Sequence, residues 1–266
     1  MKIIVCVKQV PDTSGKVAVN PDGTLDRASM QTITNPDDLN AVEAALKLKD
    51  ETGCEVIVVT MGPPPAEGML REILARGADK AVLVSGREFG GSDTYATSQI
   101  LAAAVNRIGV EKDDIVMCGR QVIDGDTAQV GPQIAGKLGL PQVSYAADIK
   151  KEGDVITVQR MLEDGYMTIK VQTPCLVTCI KELNEPRYMS VGGIFEAYSK
   201  PMEVFDYNAL KDDPLIDPTT IGLKGSPTNI LTSFTPPQKG AGMMLEGDGK
   251  ETCEKLAAIL AKKHII

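Results

Sequence analysis

Tryptophan is absent from this 266-residue chain, and only four phenylalanines and six tyrosines are present. The single histidine, His264, stands third from the C-terminal end, so the commonest general acid–base side chain is missing from any interior site. No apolar run of about eighteen residues occurs, so no segment is expected to insert across a membrane as a helix. The six cysteines include no CxxC pair. Cys175 and Cys179 lie four apart without a His or Cys pair to complete a zinc site, so no metal ligands are expected. Positive charge is also short: 28 Lys+Arg face 36 Asp+Glu, for a formal net charge of −8, which argues against a nucleic-acid or anionic-membrane surface. With no catalytic residues in view, any chemistry rests on a borrowed cofactor or on carboxylates, and the cofactor is the favoured reading.

What is present is an alternation of buried strands and amphipathic helices. Lys2–Val7 reads as a first strand and not as a signal peptide, because one early lysine precedes a run that turns polar. Cysteines set in apolar runs, such as Cys6, Cys118 and Cys175, behave as small core residues of a reduced, cytoplasmic protein. Asn35 and Pro36 read as N-cap and first residue of a helix to about Glu51. A strand follows over Glu55–Met61, stopped by Gly62 and three prolines. Next come a helix over Ala66–Arg76 closed by Gly77, a strand over Lys80–Ser85, and a helix ending near Ile108. Ile115–Cys118 is a fourth strand. This rhythm predicts an open, mostly parallel, doubly wound α/β sheet covered on both faces. After Pro141, Val155–Arg160, Tyr166–Val171 and Cys175–Ile180 read as an antiparallel extension, with a hairpin turn at Glu163-Asp164-Gly165. Beyond Leu183 the chain is proline-rich and irregular, with a short helix at Lys250–Lys262. Its scattered Phe195, Phe205 and Phe234 point to an arm laid across a partner surface, a disordered tail being the alternative.

Gly119–Pro132, GRQVIDGDTAQVGP, is the most informative stretch. It joins the fourth strand to a helix read over Ala128–Leu138, with Val130, Ile134, Ala135 and Leu138 at helical spacing. First-turn amides without intrahelical partners, at the positive end of a helix dipole, make a natural anion site. A phosphate-bearing nucleotide is the ligand this implies. The same residues also suit an ordinary capped connection with Asp124 or Asp126 as N-cap.

The order of the blocks VKQVPD, NPDDLNAVEAALKLK, VTMGPPPAEGMLREILARGADKAVLV, GRQVIDGDTAQVGPQIA and LNEPRYMSVGGI resembles the β (small) subunit of electron-transfer flavoproteins over nearly the whole chain. The resemblance implies an α/β fold of the adenine-nucleotide-binding type and a heterodimer with an α subunit carrying the electron-transferring FAD. In much of that family the β subunit holds a structural AMP and serves as a carrier for acyl-CoA dehydrogenases. One branch holds FAD there instead, accepts hydride from NADH and bifurcates the electrons. One electron goes through the α-subunit flavin to a partner flavoenzyme and the other to ferredoxin or flavodoxin. This chain resembles that branch in NPDD, in GGSDTYATS at Gly90–Ser98 and in DGDTAQVGP at Asp124–Pro132. A glycine between the two aspartates gives the backbone room to approach a larger ligand. A stand-alone nucleotide-binding protein, independent of an α partner, is a further competing class.

Carried onto this sequence, the resemblance implies a nucleotide pocket of Cys6, Val7, Asn35, Pro36, Asp37, Asp38, Met61 and Gly62. Its other wall would be Cys118, Gly119, Arg120, Gln121, Val122, Asp124, Gly125, Asp126, Thr127, Ala128, Gln129 and Val130. Thr127, Ala128 and Gln129 are expected to offer first-turn amides to phosphate oxygens, and Arg120 to tune the flavin electrostatically, a surface or interface salt bridge being its alternative. Gly90, Gly91, Ser92, Asp93 and Thr94 would admit the NADH diphosphate or simply cap a helix. Glu185, Pro186, Arg187, Tyr188 and Val191 fall in the family's partner-docking loop, with Val191 at its apolar anchor. The expected organisation is a nucleotide-binding domain over 1–182, a recognition loop over 183–200 and an arm over 201–266 packing on the α subunit.

Overall fold

The computed structural model describes residues 1–12, 31–228, 231–232 and 240–266; Phe234 lies outside them. The chain starts with β1 (Lys2–Cys6), then a small antiparallel ribbon of β2 (Gln9–Pro11) and β3 (Thr32–Thr34). Helix α1 (Pro36–Thr52), strand β4 (Glu55–Met61), helix α2 (Glu67–Arg76) and strand β5 (Lys80–Val84) follow. The next elements are α3 (Thr94–Ile108), β6 (Ile115–Gly119) and α4 (Val130–Leu138). Four more strands, β7 (Gln142–Glu152), β8 (Val155–Met161), β9 (Tyr166–Gln172) and β10 (Cys175–Cys179), complete the middle of the chain. The remainder holds α5 (Val191–Ala197), β11 (Met202–Phe205), α6 (Tyr207–Leu210), α7 (Gly222–Gly225) and α8 (Gly249–Lys262).

Nine strands form one sheet in the order β11-β5-β4-β1-β6-β10-β7-β8-β9. From β11 to β7 every pairing is parallel, and β7-β8-β9 is an antiparallel meander. The alternating side chains of the central strands feed two cores. Ile3, Val5, Val56, Val58 and Met117 pack under α1 and α2, while Ile4, Val59, Val116 and Leu176 pack under α3 and α4. The fold is the doubly wound α/β sheet that the sequence rhythm predicts. The chain steps from β1 out to β4 and β5, then returns to place β6 on the other side of β1. Strand order therefore reverses at β1/β6, and the crevice beyond the carboxyl ends of those two strands is where open α/β sheets bind ligands.

Three expectations are corrected. Strand β7 was not anticipated after Pro141: its register shifts near Ala146 and Asp148 and the positive φ of Tyr145 break the alternation that marks a strand in sequence. Cys175–Cys179 is not part of the antiparallel extension but a fully buried parallel strand between β6 and β7. Most of the irregular region after Leu183 also folds onto its own domain. Strand β11 completes the sheet edge beside β5, and Phe205, Leu210, Ile216 and Ile221 are buried in the α3-side core. Of the elements assigned to the arm, α8 alone has no buried residue.

Candidate functional site

At the switch point, the first turn of α1 is fastened to the loop that leaves β6. Asn35 is fully buried, yet its side chain does not cap α1. Its amide donates to the Gln121 carbonyl (2.8 Å) and its oxygen accepts from the Ile123 N–H (3.2 Å), so the expected cap is instead a clasp on the loop. Asp38 does the same for the strand ends: one carboxylate oxygen accepts from Lys8 N–H (2.8 Å), the other from Gly119 N–H (3.0 Å). Burial pushes the Asp38 carboxyl up to about 7, against the lowering effect of those hydrogen bonds. Burial likewise raises the Cys6 thiol to about 12 and lifts the Cys118 and Cys179 thiols well above their ordinary value, with Asp38 adding to each. These are inert core thiols.

Two glycines allow the close approach. A Cβ on Gly119 would overlap Asp38 Oδ1 and stand 2.7 Å from Asp37's carbonyl carbon. One on Gly131, in the first turn of α4, would come within 2.6 Å of Cys118 Sγ and 2.9 Å of Thr178 Cγ2. The start of α4 is thus seated directly on the ends of β6 and β10.

The loop between them departs from expectation at its helix junction. Helix α4 begins at Val130 with Gln129 as its N-cap, and neither Asp124 nor Asp126 caps it. Thr127 and Ala128 precede the helix, so the free first-turn amides belong to Val130 and Gly131, and Pro132 has none. Asp126 and Ala128 sit at φ 51° and 54°, a left-handed geometry that bends the loop twice and that Asp adopts more readily than Ala. Asp124 is ion-paired with Lys8 Nζ (2.8 Å) and Asp126 accepts from Gln121 Nε2 (2.7 Å), so both aspartates shape the loop. The amides of Gly125 and Asp126 turn back onto the Val122 carbonyl. A Cβ on Gly125 would meet only Val122 Cγ2, at 3.5 Å. Arg120 Nε lies 3.3 Å from Asp37 Oδ2, but both atoms are buried without a well-formed hydrogen bond. Burial raises the Asp37 carboxyl, and the guanidinium partly offsets it.

The other site residues divide. Cys6 and Val7 at the end of β1, Met61 and Gly62 at the end of β4, and Cys118 and Gly119 at the end of β6 share one edge of three neighbouring strands, with Pro36 opening α1 beside them. Gly90–Thr94 lies on the same edge but beyond β5. There Asp93 is the N-cap of α3, accepting from Ala96 N–H (3.0 Å) and Thr228 N–H (2.9 Å). Gly90 accepts from Leu223 N–H and Ser92 donates to the Phe89 carbonyl, so segment 220–228 lies against this turn. Lys8 and Thr178 were missed by sequence reading. Lys8 directly follows the strand end in VKQVPD, a position that could have pointed to it. A concavity of about 550 Å³ opens at the opposite edge, where β1, β4 and β5 begin. Of its cations, Lys2 and Lys80 are paired with Asp114 and Glu203 and Arg107 donates to the Ala209 carbonyl, and it is not at the switch point.

The segment expected to dock a partner has a fixed base and a bare crest. Asn40 and Asn184 exchange side-chain hydrogen bonds with each other's carbonyls (2.7 and 2.9 Å). The Arg187 guanidinium is turned inward onto Glu43 (2.9 and 3.1 Å) and Asp50 (2.7 Å), and Pro186 and Glu185 lie between these ties. Outward stand Tyr188, Val191, Phe195 and Tyr198, exposed to 91%, 74%, 77% and 74%.

The profile of the electron transfer flavoprotein domain family matches residues 22–210. The acryloyl-CoA reductase electron transfer subunit gamma of Anaerotignum propionicum is 68% identical over 267 residues, covering all of both chains. Subunit CarD of the caffeyl-CoA reductase-Etf complex of Acetobacterium woodii is 54% identical over 269 residues, again over both full lengths. The electron transfer flavoprotein subunit beta of Clostridium acetobutylicum is 48% identical over 267 residues, with the same full coverage. Sequence order, the switch-point clasp and these likenesses agree: the chain belongs to the electron transfer flavoprotein family, among its β subunits.

Proposed function

We propose that this chain is the FAD-holding β subunit of a bifurcating electron transfer flavoprotein, acting as a heterodimer with an α subunit. The observation that carries this reading is the crevice at β1/β6, whose rim is built from backbone. The Asp38 and Asn35 clasp fixes the loop, Asp126 and Ala128 bend it, and the first-turn amides of Val130 and Gly131 have no intrahelical acceptor, which supports a phosphate site there. That donor set suits a nucleotide phosphate. Arg120, whose buried Nε–H lacks a good acceptor, supplies fixed positive charge at the mouth. When bound, FAD supplies an acceptor for hydride from NADH and a donor of single electrons. The chain's own part is to seat the dinucleotide, keep Cys6 and Cys118 protonated beneath it, and orient Arg120. Gly90–Thr94 is the proposed approach for the NADH diphosphate. The crest at 188–198 is the proposed docking face for a flavin-dependent enzyme of the acyl-CoA reductase or dehydrogenase type; the relatives from A. propionicum and A. woodii are named for an acryloyl-CoA reductase and a caffeyl-CoA reductase. Ferredoxin or flavodoxin is the proposed low-potential acceptor.

The test is the nucleotide released on denaturing the purified heterodimer. Two flavins per heterodimer and flavin bleaching by NADH are expected. One flavin with one AMP, and no reaction with NADH, would make the subunit a structural carrier of AMP.

A further inference from the structure

The docking crest has large apolar side chains in water on a short segment, an arrangement that ordinarily costs order. Its base is unusually well held. Besides the Asn40–Asn184 exchange, Glu43 is buried and accepts three hydrogen bonds from Arg187: one from the backbone N–H (3.0 Å) and two from the guanidinium. Those bonds, with Asp50, hold the guanidinium firmly in its charged form. From the other side Arg76 donates to the Arg187 carbonyl. Just beyond, Ser190 caps α5 through Gly193 N–H (2.9 Å), and a Cβ on Gly193 would collide with the Ala75 carbonyl oxygen, so α5 rests backbone-close on α2. Arg187 is therefore no free contact residue. Its Nε and Nη2 are taken up by Glu43 and Asp50, and the next residue, Tyr188, is among the most exposed of the crest.

From this geometry we infer that Glu43 of α1 is a positioning residue for partner docking. Through Arg187 it fixes the direction in which the chain leaves the body of the domain, and so where Tyr188, Val191 and Phe195 stand before a partner arrives. The physical gain is pre-organisation. A crest ordered in advance does not lose conformational freedom on association, and that saving appears as affinity without any new contact. A carboxylate suits the task because a planar fork gripped at both nitrogens fixes direction as well as distance, which a single lysine bond does not. The inference rests on the crest being the docking face.

The experiment uses the assembled heterodimer as wild type, Glu43→Ala, Asn184→Ala and Phe195→Ala. Alanine keeps α1 helical and releases a guanidinium that can reach water, and Asn184→Ala loosens the same base without touching the ion pair. Amide hydrogen exchange over 184–190 is read alongside the apparent KM for the heterodimer with a 2-enoyl-CoA-reducing flavoenzyme. Glu43→Ala should accelerate exchange over 184–190 while leaving β6 protected. It should also raise KM by roughly tenfold with kcat within about twofold. Unchanged exchange would show that Glu43 does not hold the loop, and faster exchange with unchanged KM would show that its order is irrelevant to docking; either overturns the inference. A Phe195→Ala heterodimer with normal KM would instead remove the docking face itself, a separate failure.

Discussion

The proposed nucleotide crevice and the proposed docking crest are both loops fastened to helix α1, and they are fastened in opposite ways. At the crevice, buried side chains point inward and grip backbone: Asn35 holds Gln121 and Ile123, and Asp38 holds Lys8 and Gly119. What is left at the surface of that loop is short and polar: Asp124, Asp126, Thr127 and Gln129 are its exposed residues other than glycine. At the crest a charge pair grips the base, and aromatic and aliphatic side chains face outward. The first arrangement suits a small anionic ligand approached by backbone; the second suits the apolar surface of another protein. The same helix therefore ties down two loops of different surface chemistry by changing which part of the chain it holds.

Steric closure should matter most in the first region. Gly119→Val places a side chain against the Asp37–Asp38 backbone, which cannot move without unseating α1, so a loss on the order of 5 kcal/mol is expected, in the exceptional range for a point change. Urea unfolding measures it. A loss near that of an ordinary surface substitution would mean the crevice is far softer than the crest.

The second test isolates the buried carboxylate. Asp38 keeps its proton in the folded state up to about 7 but loses it in the unfolded chain near ordinary carboxylate values. The folded state thus binds more protons between about pH 4 and 7, so the stabilising contribution is complete at the low end and is lost as pH rises. Asp38→Asn removes that dependence while giving up one acceptor for the two amides. The stability gap between wild type and variant should therefore shrink by about 4 kcal/mol from pH 4 to 7. A gap independent of pH would place the carboxylate outside this account.

The smallest effect on stability belongs to Gly125→Val. Gly125 is not in the left-handed region, and its new side chain would meet Val122 at ordinary contact, so less than about 1 kcal/mol should be lost. Flavin content should nevertheless fall from two toward one per heterodimer. Two flavins retained would end the steric reading of this glycine.

Much of this could be read from residues alone, for reasons that also mark the limit. Glu55–Met61 is apolar on both faces and matches its strand residue for residue, because a central parallel strand leaves a continuous apolar run. Asn35-Pro36 marked the start of α1 correctly, but the duty of Asn35 toward a loop 86 residues away has no local signature. Asp124 and Asp126 looked like caps because aspartate usually is one at such a junction. Two non-glycine residues with positive φ displaced the helix start to Val130; Asp adopts that region now and then, but nothing in Ala forecasts it. Strand β11 was hidden for a different reason: a four-residue edge strand with only one buried side chain carries almost no periodic signal. The same brevity concealed the Asn40, Glu43 and Arg187 ties, whose polar residues on α1 look like a solvated helix face.

Asn35 and Glu43 are eight positions apart, a span of about 12 Å along an α-helical axis. One stiff rod therefore carries the latch of the proposed dinucleotide seat at one end and the keel of the outer crest two turns further on. Leverage follows from that placement. A substitution that tilts the rod is expected to disturb both loops together, while one in the β8–β9 hairpin is expected to leave them as they are.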